Sequence, residues 1–335
     1  MRTTRSTRRA AGTMTLSLTL FAASVAVGES PDVPAEGVAA RVVLDATNPF
    51  FAPSTLPMQA PDFGVIRDEH FLPAILAGMA QQIEEVEAIA RSPEAPTVEN
   101  TLVALERSGQ LLTRVSNVFS NLSSTDSNER IRAIESEVSP LLSDHQDRIL
   151  MNPGLFGRVK ALYEARETLE VDPETLRLIE ETYGRFVRAG ADLPEATQAR
   201  IRALNAEEAS LRTAFKQALL AQTTRAAVVI DRVEDLDGLS AGEIEAAAEA
   251  AREAGHEGKW VVRITNTTRQ PVLASLTNRE VRQRIWEASA SRGLAEGEGD
   301  TRAMVVRLAR LRAELAGLLG KPTWAAYKLQ DQMAG

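Results

Sequence analysis

Cysteine is absent from the 335 residues, which excludes disulfides, thiolate metal sites, iron–sulfur ligation and a cysteine nucleophile together. Histidine is almost as scarce, with only His70, His145 and His256. Aromatic residues make up 4% against 25% charged, a balance that fits a helix-rich soluble chain. An excess of positive charge is also missing, since 38 Lys and Arg stand against 46 Asp and Glu. A nucleic-acid binder needs a basic stripe to displace counterions from phosphate, so no nucleic-acid partner is expected. The longest apolar run, Met14 to Val27, is about 14 residues, short of the ~20 that a helix needs to cross a bilayer. No stable membrane anchor is expected. What remains is a chain long enough for about two domains or one large one, with 44% apolar residues to build a core without staples.

The N-terminus reads as an address. Arg2, Arg5, Arg8 and Arg9 precede the apolar run, and Ala26-Val27-Gly28 places small residues two apart, as a signal peptidase pocket requires. Residues 1–28 are expected to be a secretory signal peptide and the location periplasmic. Removing its four arginines takes the net charge from −8 to −12. Residues 29–47 mix Pro31, Pro34, Glu36 and Gly37 with Ala and Val. They carry no sustained helical period and are expected to form a flexible linker.

From there the apolar spacing is helical. Phe71, Ile75, Met79, Ile83, Val86 and Ala90 make one stripe, with Asp68 as its expected cap and Ser92-Pro93 as its end. Leu102, Leu105, Leu112, Val115 and Phe119 continue the pattern, with Gly109 inside it at a cost of up to ~1 kcal/mol relative to Ala. Asp126 and Ser127 precede a stripe of Ile131, Ile134, Val138, Leu141 and Leu142. Asp172-Pro173-Glu174 is a strong start signal for a helix through Leu176, Ile179, Tyr183, Phe186 and Val187. Leu193-Pro194-Glu195 opens another, with Ile201, Leu204, Leu211, Phe215 and Leu219 on its apolar face. The period then changes. Ala226–Ile230 and Trp260–Ile264 are short β-branched runs that suit two strands paired with each other. Ser240 caps an Ala/Glu helix between them, which Gly255 stops. Helices resume after Pro271 through Val272, Leu276, Val281, Ile285 and Trp286, and a last long helix spans about Asp300 to Leu319. The expected fold class is mainly α: a multi-helix lobe over 48–335 with a small β element near 226–230 and 260–264, and a subdivision near 222–265.

The usual catalytic motifs are missing. His70 follows Asp68-Glu69, and His145 lies within Asp144-His145-Gln146-Asp147, but neither has a second imidazole at helical spacing, so each is expected to be an exposed helix residue. His256-Glu257-Gly258-Lys259-Trp260 begins like a zinc-peptidase helix, whose histidines at i and i+4 share one face; Trp260 occupies the second place. Gly317–Thr323 resembles a phosphate loop, yet Leu315 replaces its first glycine and Pro322 follows Lys321, leaving only a helix stop. The acid pairs Glu84-Glu85 and Glu180-Glu181 are adjacent rather than facing and read as solvated helix faces. Arg252, Arg279, Arg282 and Arg284 are explained as well by helical salt bridges as by an anion site. No residue is assigned as catalytic, cofactor-binding or metal-binding.

A resemblance goes further. Asn48-Pro49-Phe50 with Ser54-Thr55-Leu56-Pro57 resembles the start of bacterial dipeptidyl carboxypeptidases (peptidyl-dipeptidases), zinc metallopeptidases of the thimet-oligopeptidase family. The likeness continues through Asn100–Gly109 and Leu111–Val115, reappears in Arg185–Ala191 and Leu204-Asn205-Ala206-Glu207, and runs through Asn266–Pro271, Leu318–Pro322 and Asp331–Ala334. It implies half of a larger two-lobed helical hydrolase with a deep channel, which removes C-terminal dipeptides from oligopeptides. In that family a helix carries His-Glu-x-x-His, a later Glu completes the zinc ligands, and zinc-bound water is the nucleophile. His-Glu-x-x-His occurs nowhere here, so the catalytic zinc region is expected to be absent and no site residue is carried over. The chain is expected to supply scaffold and channel wall, to be inactive alone, and to partner a missing C-terminal half. The alternatives are a non-enzymatic helical peptide-binding or interaction module, or one half of a split oligopeptidase. A severed half would expose the apolar surface that its partner covers.

Overall fold

The computed structural model of the protein describes residues 44–294 and 299–333. The expected signal peptide, 1–28, lies outside the described residues, as does the linker up to residue 43. Leu44, at the linker's end, is buried in a core with Phe50 and Phe71.

Helix α1 (Phe71–Ala90) buries Phe71, Ile75 and Val86 of its predicted stripe together with Ala74, Ala77 and Ile89, while Met79, Ile83 and Ala90 of the stripe are half-buried. Each large side chain removed from water there contributes on the order of 2 kcal/mol. Asp68 does not cap it. It lies in a 3₁₀ turn and accepts a hydrogen bond from Asn128 Nδ2 at 2.8 Å. The expected continuous helix around Gly109 is broken. A π-helical turn (Val98–Val103) runs into the short α2 (Ala104–Arg107), and α3 (Gln110–Thr125) starts afresh. Gly109 sits at that junction with φ +70°, where a Cβ would lie 2.4 Å from the Gln82 side chain. Its glycine is therefore a requirement of the turn rather than a cost inside a helix. Gly78 is needed for another reason: a Cβ there would come within 2.8 Å of the Leu112 backbone nitrogen, where α1 meets α3.

Asn128, not Asp126 or Ser127, caps α4 (Glu129–Leu150), its Oδ1 accepting from the Ile131 N–H at 2.9 Å. Of the two leucines in the α4 stripe, Leu141 is exposed and Leu142 packs on the core. Helix α5 (Pro153–Ala165) packs on α6 (Pro173–Ala189), which Asp172 caps as expected. Arg158 of α5, buried with no carboxylate partner among the described residues, donates to the Ser92 and Glu94 carbonyls, Asn100 Oδ1 and Thr101 Oγ1 at 2.8–3.3 Å. It ties the segment after α1 to the π-helical turn.

The 31-residue α7 (Glu195–Arg225) is followed by β1 (Val228–Ile230). Helix α8 (Ala241–Glu253), with a Ser240–Glu243 capping box, leads to β2 (Trp260–Val262). The strands pair antiparallel, Val228 opposite Val262 and Ile230 opposite Trp260. Two helices follow: α9 (Asn266–Ser275), which starts before Pro271 rather than after it, and α10 (Arg279–Ala290), capped by Asn278. Trp286 on α10 is 61% exposed, so it does not belong to the core stripe. Helix α11 (Arg302–Leu318) and α12 (Trp324–Leu329) complete the described elements. Among the described residues, no helix is long and apolar enough to cross a membrane.

Candidate functional site

Three of these helices make a polar cleft that a fourth walls. α4 and α7 run antiparallel, as their contacts show. Lys216 pairs with Glu135 at 2.7 Å, Thr213 Oγ1 donates to Ser139 at 2.8 Å, and Asn205 reaches Asp147 further along. α11 lies antiparallel on the other side of α7, through Arg200–Glu314 at 2.7 Å and Arg307–Glu207 at 2.5 Å. Gly320 ends α11, and Thr323 caps α12, its Oγ1 accepting from the Ala326 N–H at 3.1 Å.

Helical periodicity then decides which side chains meet. Ser143, Gln146, Asp147 and Leu150 share one face of α4; Asn205, Glu208, Ala209 and Arg212 share one face of α7. With Arg312, Leu315, Trp324, Tyr327 and Lys328 they line a pocket of about 660 Å³. Asp147 is 6% exposed, and among the described residues its two carboxylate oxygens accept only from Asn205 Nδ2, at 2.9 and 3.0 Å. Burial pushes its pKa up to about 6, against the opposing Asn205 hydrogen bond and Arg202 charge and with added repulsion from Asp144. Glu208, also buried, is paired with Arg312 at 3.0 Å. The Arg312 guanidinium and the Lys328 ammonium lie 5.5 and 5.0 Å from the centre of the Trp324 ring. Burial raises the Tyr327 hydroxyl pKa, and that hydroxyl donates to the Arg188 carbonyl at 3.3 Å. Arg212 and Lys328 are exposed and have no carboxylate within ion-pair distance among the described residues.

A second cavity, of about 700 Å³, is lined by Asn48–Leu56, Ile66, His70 and Arg114. Several residues that carry the family resemblance, Asn48-Pro49-Phe50 and Ser54-Thr55-Leu56, form its wall. Arg114 Nη2 donates to the Phe50 carbonyl at 3.2 Å, while its Nε is buried without a partner.

The three histidines are not brought together. His70 Nδ1 accepts from the Arg67 N–H at 3.0 Å, which leaves the ring proton on Nε2. His145 is not an exposed helix residue: it is 4% exposed because α4 is covered by α1 on one side and α7 on the other. Its Nε2 lies 2.7 Å from Gln82 Oε1, its Nδ1 has no partner, and burial, helped by Arg148, lowers its pKa to about 4. His256 is exposed beyond α8. Glu85 is more than a solvated face, since its Oε2 accepts from the Gly109 N–H at 2.7 Å. Glu180 and Glu181 pair with Arg177, and Arg252 pairs with Glu245 and Glu249, as helical salt bridges. Arg284 donates to the Val229 carbonyl at 2.7 Å. Among the described residues no group of three or more His, Asp and Glu could hold a metal ion, so the donors that zinc requires do not fit here.

Sequence reasoning passed over Asp147 and Asn205. The signal was present in the polar Ser143-x-x-Gln146-Asp147 spacing on a helix with apolar Leu142 and Leu150, and in Asn205 within Leu204–Glu207.

Comparison gives the class that the chain resembles: residues 272–335 match the model of peptidase family M3. More particularly, it is similar to dipeptidyl carboxypeptidases. It is 42% identical over 287 residues to that of Escherichia coli (strain K12) and 43% identical over 289 residues to that of Salmonella typhimurium; each alignment covers 86% of this chain and 42% of the relative. Oligopeptidase A of Haemophilus influenzae is 26% identical over 279 residues, covering 82% of this chain and 40% of the relative. The chain thus spans about two fifths of the length of these relatives.

Proposed function

We propose that this chain is the scaffold and channel-wall portion of a periplasmic zinc metallopeptidase that removes C-terminal dipeptides from oligopeptides. The observation that carries the reading is the 42% identity over 287 residues to a dipeptidyl carboxypeptidase, against 26% to an oligopeptidase A. Export is proposed from Arg2, Arg5, Arg8 and Arg9 ahead of the apolar run Met14–Val27.

Zinc would supply an activated water and polarise the scissile carbonyl. Its ligands are proposed to stand in the part of the relatives that this chain does not span, because the described residues offer no donor set for it. The residues here are proposed to fix the helices on which that part rests. The α4–α7–α11 assembly does so through paired charges: Glu207–Arg307, Glu208–Arg312 and Arg200–Glu314. The large apolar side chains left exposed on α10, α11 and α12 are Trp286, Val305, Val306 and Leu329. They are proposed to lie against the remainder.

Complementation tests the reading. The purified chain is mixed with the remaining portion of the Escherichia coli relative, and products from N-acetylated peptides are identified by mass. Dipeptides released from the C-terminus, and lost on chelation, are the expected result. Internal cleavage, or no cleavage by a complex that does form, would overturn it.

A further inference from the structure

We infer that the pocket between α4, α7, α11 and α12 is a binding site for a short zwitterion of dipeptide length, its ammonium on Asp147 at the floor and its carboxylate on Arg212 and Lys328 at the rim. The inference goes beyond the proposed peptidase activity and rests on this chain's own charges. A dipeptide has the required chemistry whether or not this chain helps to release it.

The floor is an acceptor with spare capacity. An ionised carboxylate has about four lone-pair sites, and Asp147 engages a single amide nitrogen, Asn205 Nδ2. A buried carboxylate so poorly served favours a cationic donor that enters the pocket it lines. Glu208 does not compete for that donor, because Arg312 already holds it at 3.0 Å. The rim has the opposite sign. Arg212 and Lys328 are exposed, line the same pocket, and form no ion pair with the described carboxylates. With Asp147 and Glu208 ionised and Arg212, Arg312 and Lys328 charged, the pocket carries one net positive charge, so a ligand with a cation alone is disfavoured. A zwitterion satisfies both ends.

Length follows from helix geometry. Asn205, which marks the level of Asp147, and Arg212 are seven residues apart on one face of α7, about 10.5 Å at ~1.5 Å per residue. An extended dipeptide holds its end charges about 7 Å apart, and two charge-assisted hydrogen bonds of ~2.8 Å extend this to about 13 Å. The flexible Arg212 side chain takes up the difference. A single amino acid falls about 3.5 Å shorter. The volume of about 660 Å³ lies within the ~300–1,000 Å³ usual for small-ligand sites, and Trp324 and Tyr327 offer an apolar wall to the ligand's side chains.

Calorimetric titration of the full chain at pH 7.5 with Ala-Ala, N-acetyl-Ala-Ala, Ala-Ala amide and alanine tests this directly. Ala-Ala is expected to bind at least tenfold tighter than each of the other three, which lack the ammonium, the carboxylate or the length. Asp147→Asn, which keeps an acceptor for Asn205, should weaken Ala-Ala at least tenfold and leave N-acetyl-Ala-Ala unchanged. Arg212→Gln, at an exposed position with no ion pair among the described residues, should weaken Ala-Ala and leave Ala-Ala amide unchanged. Absence of Ala-Ala binding at millimolar concentration, equal binding of the acetylated peptide, or indifference to both substitutions would overturn the inference. None of these results bears on the complementation assay, so the two readings fail separately.

Discussion

Two neighbouring side chains on α4 titrate in opposite senses. Asp147 is held up to about 6 and His145 down to about 4, each chiefly by burial. Between pH 4 and 6 the folded chain keeps the Asp147 proton that the unfolded chain has lost, so this group stabilises at low pH and its contribution is lost as pH rises through 6. The unfolded chain takes up the His145 proton below about 6.5, which the folded chain refuses until about 4, so this group destabilises as pH falls. In the parent chain the two effects largely offset each other. Asp147→Asn leaves His145 unopposed, and its Tm should fall more steeply than the parent's between pH 6.5 and 4. His145→Gln, which retains a donor for Gln82, should flatten or reverse that slope; thermal melts at half-unit pH steps check both. A conformational constraint operates at Gly109. Alanine there would meet a positive φ and the Gln82 side chain, which the His145 contact tethers at 2.7 Å. Gly109→Ala should cost roughly 1–3 kcal/mol in urea unfolding. His145 was misjudged because the polar run Asp144–Asp147 says nothing about the two helices that enclose it.

Elements whose ends are set by neighbouring residues were legible: Asp172-Pro173 opens α6, Ser240 with Glu243 opens α8, and the β-branched runs at 228–230 and 260–262 pair. Elements that depend on distant partners were not. The break at Gly109 follows from the approach of α1, and Trp286 and Leu141 are exposed because no described helix faces them at those points of their stripes. The pocket was illegible for the same reason, since its lining runs from Ser143 to Lys328 across five helices. At this scale Arg158 makes a specific prediction. Its guanidinium satisfies two carbonyls and two side-chain oxygens around residues 92–101. Arg158→Met would remove this donor from the Ser92 and Glu94 carbonyls and Thr101 Oγ1 in a partly buried place, while Asn100 Oδ1 keeps the Thr97 N–H, for a loss of roughly 3 kcal/mol. Amide exchange should accelerate first in residues 92–103, whereas uniform acceleration throughout the chain would contradict a local staple.

For the molecule as a whole, the helices hold one another through several cores, and much of their stability is internal: Phe50, Phe71 and Phe119 cluster at ring separations of 5.3–5.5 Å within one of them. The chemistry is proposed to come from elsewhere. The similarity to dipeptidyl carboxypeptidases extends over 86% of this chain, yet the chain contains no His-Glu-x-x-His and its described residues gather no metal ligands. The proposed scaffold, which would gain hydrolysis only from a second region, accounts for both. The most direct test is the chain by itself, dialysed against zinc and assayed on an N-acetylated tetrapeptide beside the complemented sample. The account predicts dipeptide release in the complemented sample alone. Zinc-dependent release by the unaccompanied chain would contradict it.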